Sequence, residues 1–259
     1  MSIASMRPGL PLAAINPVSK VAATVPLSIV LVLTLDPVSA AVAIVCELVI
    51  FTIVGLGPLV WSPRTLPVWL AAPLTGVSMV LYGAPSGQTY WEFGVIHVTE
   101  GSLLIGLATM TRVIAIALPA VVLFLTIDPT DLADGLAQTL RLPSRFVLGA
   151  LAALRLVGSS VDDWRTLSLA RRARGVADRG LIRRGLGQAF ALLILAIRRG
   201  STLATAMEAR GFGAPGERTW ARVARFGVAE WVVIAVGCLV AAIAAMAAIL
   251  TGSWNTVWA

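Results

Sequence analysis

The chain has 259 residues, 58% of them hydrophobic and only 13% charged, with a formal net charge of +7. Soluble globular chains carry about a quarter charged residues, so this balance excludes an ordinary soluble domain and points to an integral membrane protein. Residues 128–226 hold 16 of the 20 Lys+Arg but 8 of the 13 Asp+Glu, so the basic charge is concentrated in one region.

By the positive-inside tendency that region belongs in the cytoplasm. No aromatic interleaving accompanies its arginines, which argues against nucleic acid as the partner. The expected organisation is three parts: N-terminal transmembrane helices over 1–127, a cytoplasmic region of amphipathic helices over 128–226, and a C-terminal transmembrane helix over 227–259. Cys46 and Cys238 lie in apolar runs and suggest neither a disulfide framework nor a zinc site. Residues 1–11 lack the apolar stretch and cleavage site of a signal peptide.

In chain order, Asn16-Pro17-Val18-Ser19-Lys20 precedes a first apolar run, 21–35. Asp36-Pro37 then turns the chain, because proline forces its predecessor out of helical geometry. A second run, 38–56, carries Glu47 in its middle. The two read as a helical hairpin that starts and ends in the cytoplasm, with Lys20 and Arg64 as flanks. Leu66–Tyr82 forms a third span, interrupted by Pro73 as bundles tolerate. Residues 88–100 contain Trp91, Glu92 and His97 but no Lys or Arg, and read as an external loop with an aromatic anchor and an ordinary histidine.

The fourth span, 103–127, contains Arg112 and Pro119. An intramembrane arginine normally faces the bundle interior or a polar cavity; Glu47, Glu92, Glu100 and Glu230 are its candidate partners, and Arg112 with Glu47 is the ion pair singled out. Asp128-Pro129-Thr130-Asp131 supplies helix-start chemistry for a short helix to Leu140. Leu142-Pro143-Ser144 breaks it. Val147, Leu151, Leu154, Gly158 and Val161 then recur at spacings of four and three, one stripe on a long helix. Charges along that helix favour a course along a membrane face or against other helices.

This helix ends at Ala170-Arg171-Arg172-Ala173-Arg174-Gly175. After a basic connector, 176–187, a second amphipathic helix begins with Phe190, Leu193, Ile194 and Ile197. It ends at Ala206-Met207-Glu208-Ala209-Arg210-Gly211, and Gly213-Ala214-Pro215-Gly216 stops it. Residues 231–250 are free of charge and long enough to cover about 30 Å as a helix, the fifth span. Trp254 and Trp258 then follow on the external side. The predicted fold is all-α and polytopic, with about five transmembrane helices plus long amphipathic cytoplasmic helices.

No metalloprotease, serine-hydrolase or P-loop pattern occurs. Asp134-Gly135 and Asp162-Asp163 partly resemble the metal-binding aspartates of membrane phosphatidyltransferases, but Ala137 is followed by Gln138 rather than arginine. No catalytic residue or metal ligand is therefore assigned, and no enzyme is expected. What stands out is the A-x-x-A-R-G used twice. Small alanines let a partner approach, arginine suits the negative end of a helix, and glycine stops the helix so that a guanidinium can project.

With the two motifs stand Thr126-Ile127-Asp128-Pro129-Thr130-Asp131-Leu132, Arg141-Leu142-Pro143, the 16–20 segment, and residues 204–213 with Arg218-Thr219. In these residues the chain resembles the transmembrane coupling subunit, or T component, of energy-coupling factor transporters, the vitamin and metal uptake branch of the ABC family. The resemblance covers nearly the whole length. It implies that Ala173, Arg174 and Gly175, and Ala209, Arg210 and Gly211, dock into grooves of two ABC-type ATPase subunits. ATP and Mg would be bound in those partners, with no cofactor in this chain. A separate small membrane subunit would bind the cargo, and the assembly would lie in the cytoplasmic (inner) membrane. The family often has glutamine where this chain has Arg171, and a proline where Leu156-Val157-Gly158 stands. Arg171-Arg172 makes the first tip more basic than the second, with Met207-Glu208, which predicts unlike grooves or unequal affinities. The alternative function is a stand-alone secondary transporter or channel that uses Arg112 and Glu47.

Overall fold

The computed structural model describes residues 15–34, 36–83, 86–93, 96–175, 180–214 and 219–254, without the side chains of 92, 93, 96, 97 and 181. The expectations for residues 1–11, the side chains of Glu92 and His97, Pro215-Gly216, Arg218 and Trp258 lie outside these described residues. The chain divides into two compact units: Met1–Leu132 with Arg225–Ala259, and Ala133–Ala224.

In the first unit, α1 (Pro17–Leu33) starts where Asn16 Oδ1 accepts the Val18 N–H at 3.0 Å. The helix α2 (Pro37–Ile53) starts in the same way: Asp36 accepts the Ser39 N–H at 2.6 Å and the Ser39 hydroxyl at 2.7 Å. In both, a proline occupies the first helical position, where its missing N–H costs nothing. A four-residue turn, α3 (Gly57–Val60), precedes α4 (Leu66–Tyr82). Then α5 (Glu100–Phe124) opens on a reciprocal cap in which Thr99 Oγ1 accepts the Ser102 N–H and Ser102 Oγ accepts the Thr99 N–H. The last span is α9 (Val228–Leu250), and Glu230 closes its first turn by accepting the Gly227 N–H at 2.7 Å.

Residues 88–100 depart from the expected loop. An antiparallel hairpin forms there, β1 (Thr89–Phe93) with β2 (Ile96–Thr99), pairing Trp91 with Val98 and Phe93 with Ile96. The segment is rich in aromatic and β-branched residues, which favour strand. The hairpin is the only sheet among the described residues, and the chain is an all-α, multi-pass membrane protein.

Two apolar clusters hold this unit together. One joins α1, α2, α5 and α9 through Leu31, Ala40, Ala115 and Ala244; the other joins α2, α3, α4 and α5 through Phe51, Val60, Ala72 and Leu118. Small residues set the spacing, as is common where apolar helices pack without a hydrophobic driving force between them. At Gly237 of α9 an added Cβ would collide with the backbone carbonyl of Ala23 in α1.

The second unit contains the end of α6 (Pro129–Gln138), α7 (Ser144–Ala173) and α8 (Leu181–Ala209). Ala133, Ala137 and Val147 form a small core with Leu136, Leu151 and Trp220. Gln138 fastens the following segment by a two-way bond: its Nε2 donates to Arg222 O at 2.8 Å, and its Oε1 accepts the Ala224 N–H at 2.9 Å. Four described helices, α5, α7, α8 and α9, are long and apolar enough to cross a membrane, while α1, α2 and α4 have 17 residues each. The 17-residue helices reach about 26 Å, a little under the ~30 Å hydrocarbon core. By length and apolar content alone, α7 and α8 also suffice to cross; the expectation that they run along a surface rests on their charges.

Candidate functional site

The two A-R-G motifs form nearly superimposable backbone caps. Arg174 closes α7 at φ −89°, ψ 2° and Arg210 closes α8 at φ −90°, ψ 10°. Gly175 and Gly211 follow at φ 67° and 79°, the left-handed region that only glycine enters cheaply. In the second tip the Gly211 N–H donates to Glu208 O at 2.9 Å and the Phe212 N–H to Met207 O at 2.9 Å. These are the two bonds of a Schellman cap. In the first, the Gly175 N–H donates to Arg172 O at 3.0 Å; the residue that would complete the second bond, Val176, is outside the described residues.

In these bonds the backbone itself satisfies carbonyls of the last turn, so the arginine side chain is not needed for them. Both Arg174 and Arg210 are exposed, and no hydrogen bond or ion pair from either guanidinium occurs among the described residues. Ala173 and Ala209 are exposed as well, leaving low ground beside each arginine.

Other arginines of this unit are engaged in holding α7 against α8. Arg171 Nη2 donates to Gly187 O at 2.9 Å, and Arg184 Nη2 to Ser168 Oγ at 3.1 Å. Arg199 grips Asp163 with two nitrogens, Nη1 to Oδ2 and Nη2 to Oδ1. Arg145, near the start of α7, donates to the carbonyl of Gly213 just beyond α8. The helices therefore run antiparallel, with the first tip beside the beginning of α8 and the second beside the beginning of α7. From Gly187 to Ala209 the helix rises about 33 Å. The two tips thus sit at opposite ends of the hairpin.

Arg171 also alters the predicted contrast between the tips. Its guanidinium is turned back onto α8, so Arg172 and Arg174 supply the outward charge of the first tip. Spacing could not have shown this, because the contact depends on a neighbouring helix.

Arg112 and Glu47 do not form the singled-out ion pair. Among the described residues both Glu47 carboxyl oxygens are buried without a hydrogen-bond partner, and so is Arg112 Nη2.

Two polar anchors emerge that spacing alone did not assign. Lys20 is 1% exposed, and its Nζ donates to Thr126 O at 3.4 Å and Thr126 Oγ1 at 3.3 Å. Asn16 donates its backbone N–H to Glu230 Oε1 at 3.3 Å and its side-chain amide to Arg225 O at 3.2 Å. A lysine beside an asparagine cap was the visible signal; the partners, more than a hundred positions away, were not.

The family model described as "Cobalt transport protein", CbiQ, matches residues 10–221. Among curated proteins, the "Energy-coupling factor transporter transmembrane protein EcfT" of Limosilactobacillus fermentum is 30% identical over 207 residues, covering 73% of this chain and 74% of the relative. The protein of that name from Lacticaseibacillus paracasei is 32% identical over 194 residues, 70% of each chain. One from Listeria innocua is 27% identical over 216 residues, 78% of this chain and 74% of the relative. A family match that takes in both tips and most of the chain, with relatives at this identity over most of their lengths, makes this chain a member of the CbiQ family of energy-coupling-factor transmembrane proteins.

Proposed function

We propose that the chain is the coupling scaffold of an importer in which ATP is hydrolysed by two partner ATPase subunits, and that Arg174 and Arg210 are the residues each partner grips. The observation that carries this reading is the pair of matching glycine caps, each with an exposed guanidinium that no described residue engages, at opposite ends of one antiparallel hairpin. A separation of about 30 Å along α8 suits two globular partners better than one groove. An arginine offers a planar fork of donors for a carboxylate or for carbonyls lining a cleft.

In this reading residues 128–226 face the cytoplasm and the spans lie in the cytoplasmic membrane. The charges support it: α7 carries Arg145, Arg155, Asp162, Asp163, Arg165, Arg171 and Arg172, and α8 carries Arg183, Arg184, Arg198, Arg199 and Glu208. Such a density is expensive inside a bilayer and ordinary at its surface. Nucleotide-driven movement of the partners' grooves would swing the hairpin as a two-state lever. A separate small membrane subunit would bind a vitamin or metal ion and respond to that swing. ATP and Mg belong to the partners, and the chain itself performs no chemistry.

The test is co-purification. Arg174→Glu combined with Arg210→Glu leaves membrane insertion intact and removes the ATPases from the purified complex, because losing a desolvated arginine contact costs on the order of 2–5 kcal/mol at an interface. A double variant that retains the full complex and its uptake refutes the proposal.

A further inference from the structure

The first unit contains a cavity of about 320 Å³ between α1, α2, α5 and α9, with Leu27, Phe51, Pro119 and Val236 in its walls. That volume is within the range of small-molecule pockets, about 300–1,000 Å³. Its lining is apolar except for two side chains, Thr24 and Glu47. The Thr24 hydroxyl is committed to its own helix, donating to Val21 O at 2.9 Å. Glu47 is different: it is 4% exposed, and among the described residues neither carboxyl oxygen has a hydrogen-bond partner. No Lys, Arg or His is among the lining residues.

A buried carboxyl without a partner is a recognition group awaiting a donor, since an unpaired buried polar group costs of order 1–3 kcal/mol and a charged one more. The described residues supply none, and the rest of the wall they form is hydrocarbon. We propose that this cavity is a binding site for a lipophilic amine, whose ammonium N–H is accepted by Glu47 and whose alkyl body packs against α1, α5 and α9. An amine is favoured over an alcohol because a charge-assisted bond is roughly twice as strong as a neutral one. The site is independent of the A-R-G tips and of any ATPase.

The full chain in lipid nanodiscs is treated with dicyclohexylcarbodiimide, an apolar reagent for buried carboxyls. The Glu47 carboxyl proton passes to a carbodiimide nitrogen while its oxygen adds to the central carbon. The O-acylisourea formed then rearranges by acyl transfer to a stable N-acylurea, read by peptide mass spectrometry. N,N-dimethyldodecylamine is the probe, since its protonated head has one N–H and forms no stable amide; dodecane is the matched apolar control. At ten times its half-saturating amount the amine slows modification of Glu47 by about tenfold, and dodecane leaves it unchanged. As a second readout, the amine raises the unfolding temperature of the native chain and not that of Glu47→Gln. Equal protection by dodecane, protection by neither, no modification of Glu47, or an equal thermal shift in Glu47→Gln would each overturn the proposal.

Discussion

Replacing Gly211 by alanine isolates the backbone chemistry of the second tip. Gly211 sits at φ 79°, and a Cβ built there meets nothing within 4 Å. The substitution therefore creates no clash, and its whole effect is the cost of holding an L-residue in the left-handed region, about 1–2 kcal/mol. That cost falls on the two bonds of the cap, from Gly211 N–H to Glu208 O and from Phe212 N–H to Met207 O. If the last turn of α8 opens locally, 1–2 kcal/mol raises the open population roughly 5- to 30-fold. Hydrogen exchange of the amides at 207–212, measured by mass spectrometry on the full chain, should accelerate by that factor. Gly200→Ala is the matched control, because Gly200 lies inside α8 and an added Cβ there also has nothing within 4 Å. There alanine gains about 0.5–1 kcal/mol of helix stability, and exchange around residue 200 slows. Unchanged or slower exchange at 207–212 in Gly211→Ala would refute the argument that conformation, rather than packing, fixes the tip.

Gly237→Ala should lower the unfolding midpoint of the bundle in detergent by an amount typical of overpacking, about 1–3 kcal/mol, because the new methyl collides with the Ala23 carbonyl; wild-type stability would contradict the close approach of α1 and α9. Lys20→Met keeps an unbranched apolar stem, one atom shorter, and removes both bonds to Thr126, and should destabilise by about 1–3 kcal/mol, read in the same titration. A double-mutant cycle of Asp163→Ala and Arg199→Ala should return a coupling of only about 0.2–1 kcal/mol, since the pair is partly exposed and surface pairs are screened by water; a value several times larger would mean that the pair is shielded. Arg171→Ala should raise exchange at residues 170–174 without touching 207–212, because Arg171 binds Gly187 O at the first tip alone.

What the chain reveals in one dimension is its local chemistry. Asn16-Pro17 and Asp36-Pro37 announce helix starts because cap and proline act within three residues, and both caps form. The two A-R-G stops are legible for the same reason: a left-handed glycine after the last turn is a short-range event. Residues 88–100 were misread because Tyr90, Trp91 and Phe93 serve equally as interface anchors and as strand residues, and only cross-strand pairing decides between them. The Arg112–Glu47 pair does not form because composition gives the charges in each span without their depth or facing, and both Glu47 oxygens lack a partner among the described residues. Arg171 reads as charge at the first tip, and its bond to Gly187 O depends on a neighbouring helix that one-dimensional spacing does not show. In each case the deciding atom belongs to a different element.

The clasp of Asn16 on Glu230 and on the Arg225 carbonyl has a consequence for how the protein is made. It joins positions 214 residues apart, across the whole of the second unit. At a synthesis rate of about 5–20 residues per second, α1 waits roughly 10–40 s for α9 to leave the ribosome. During that interval the face of α1 around Ala23 is covered by lipid or by the insertion machinery rather than by its final partner. Closure of the bundle is therefore the last event of biogenesis, and chains truncated before α9 should be the species that quality-control proteases remove.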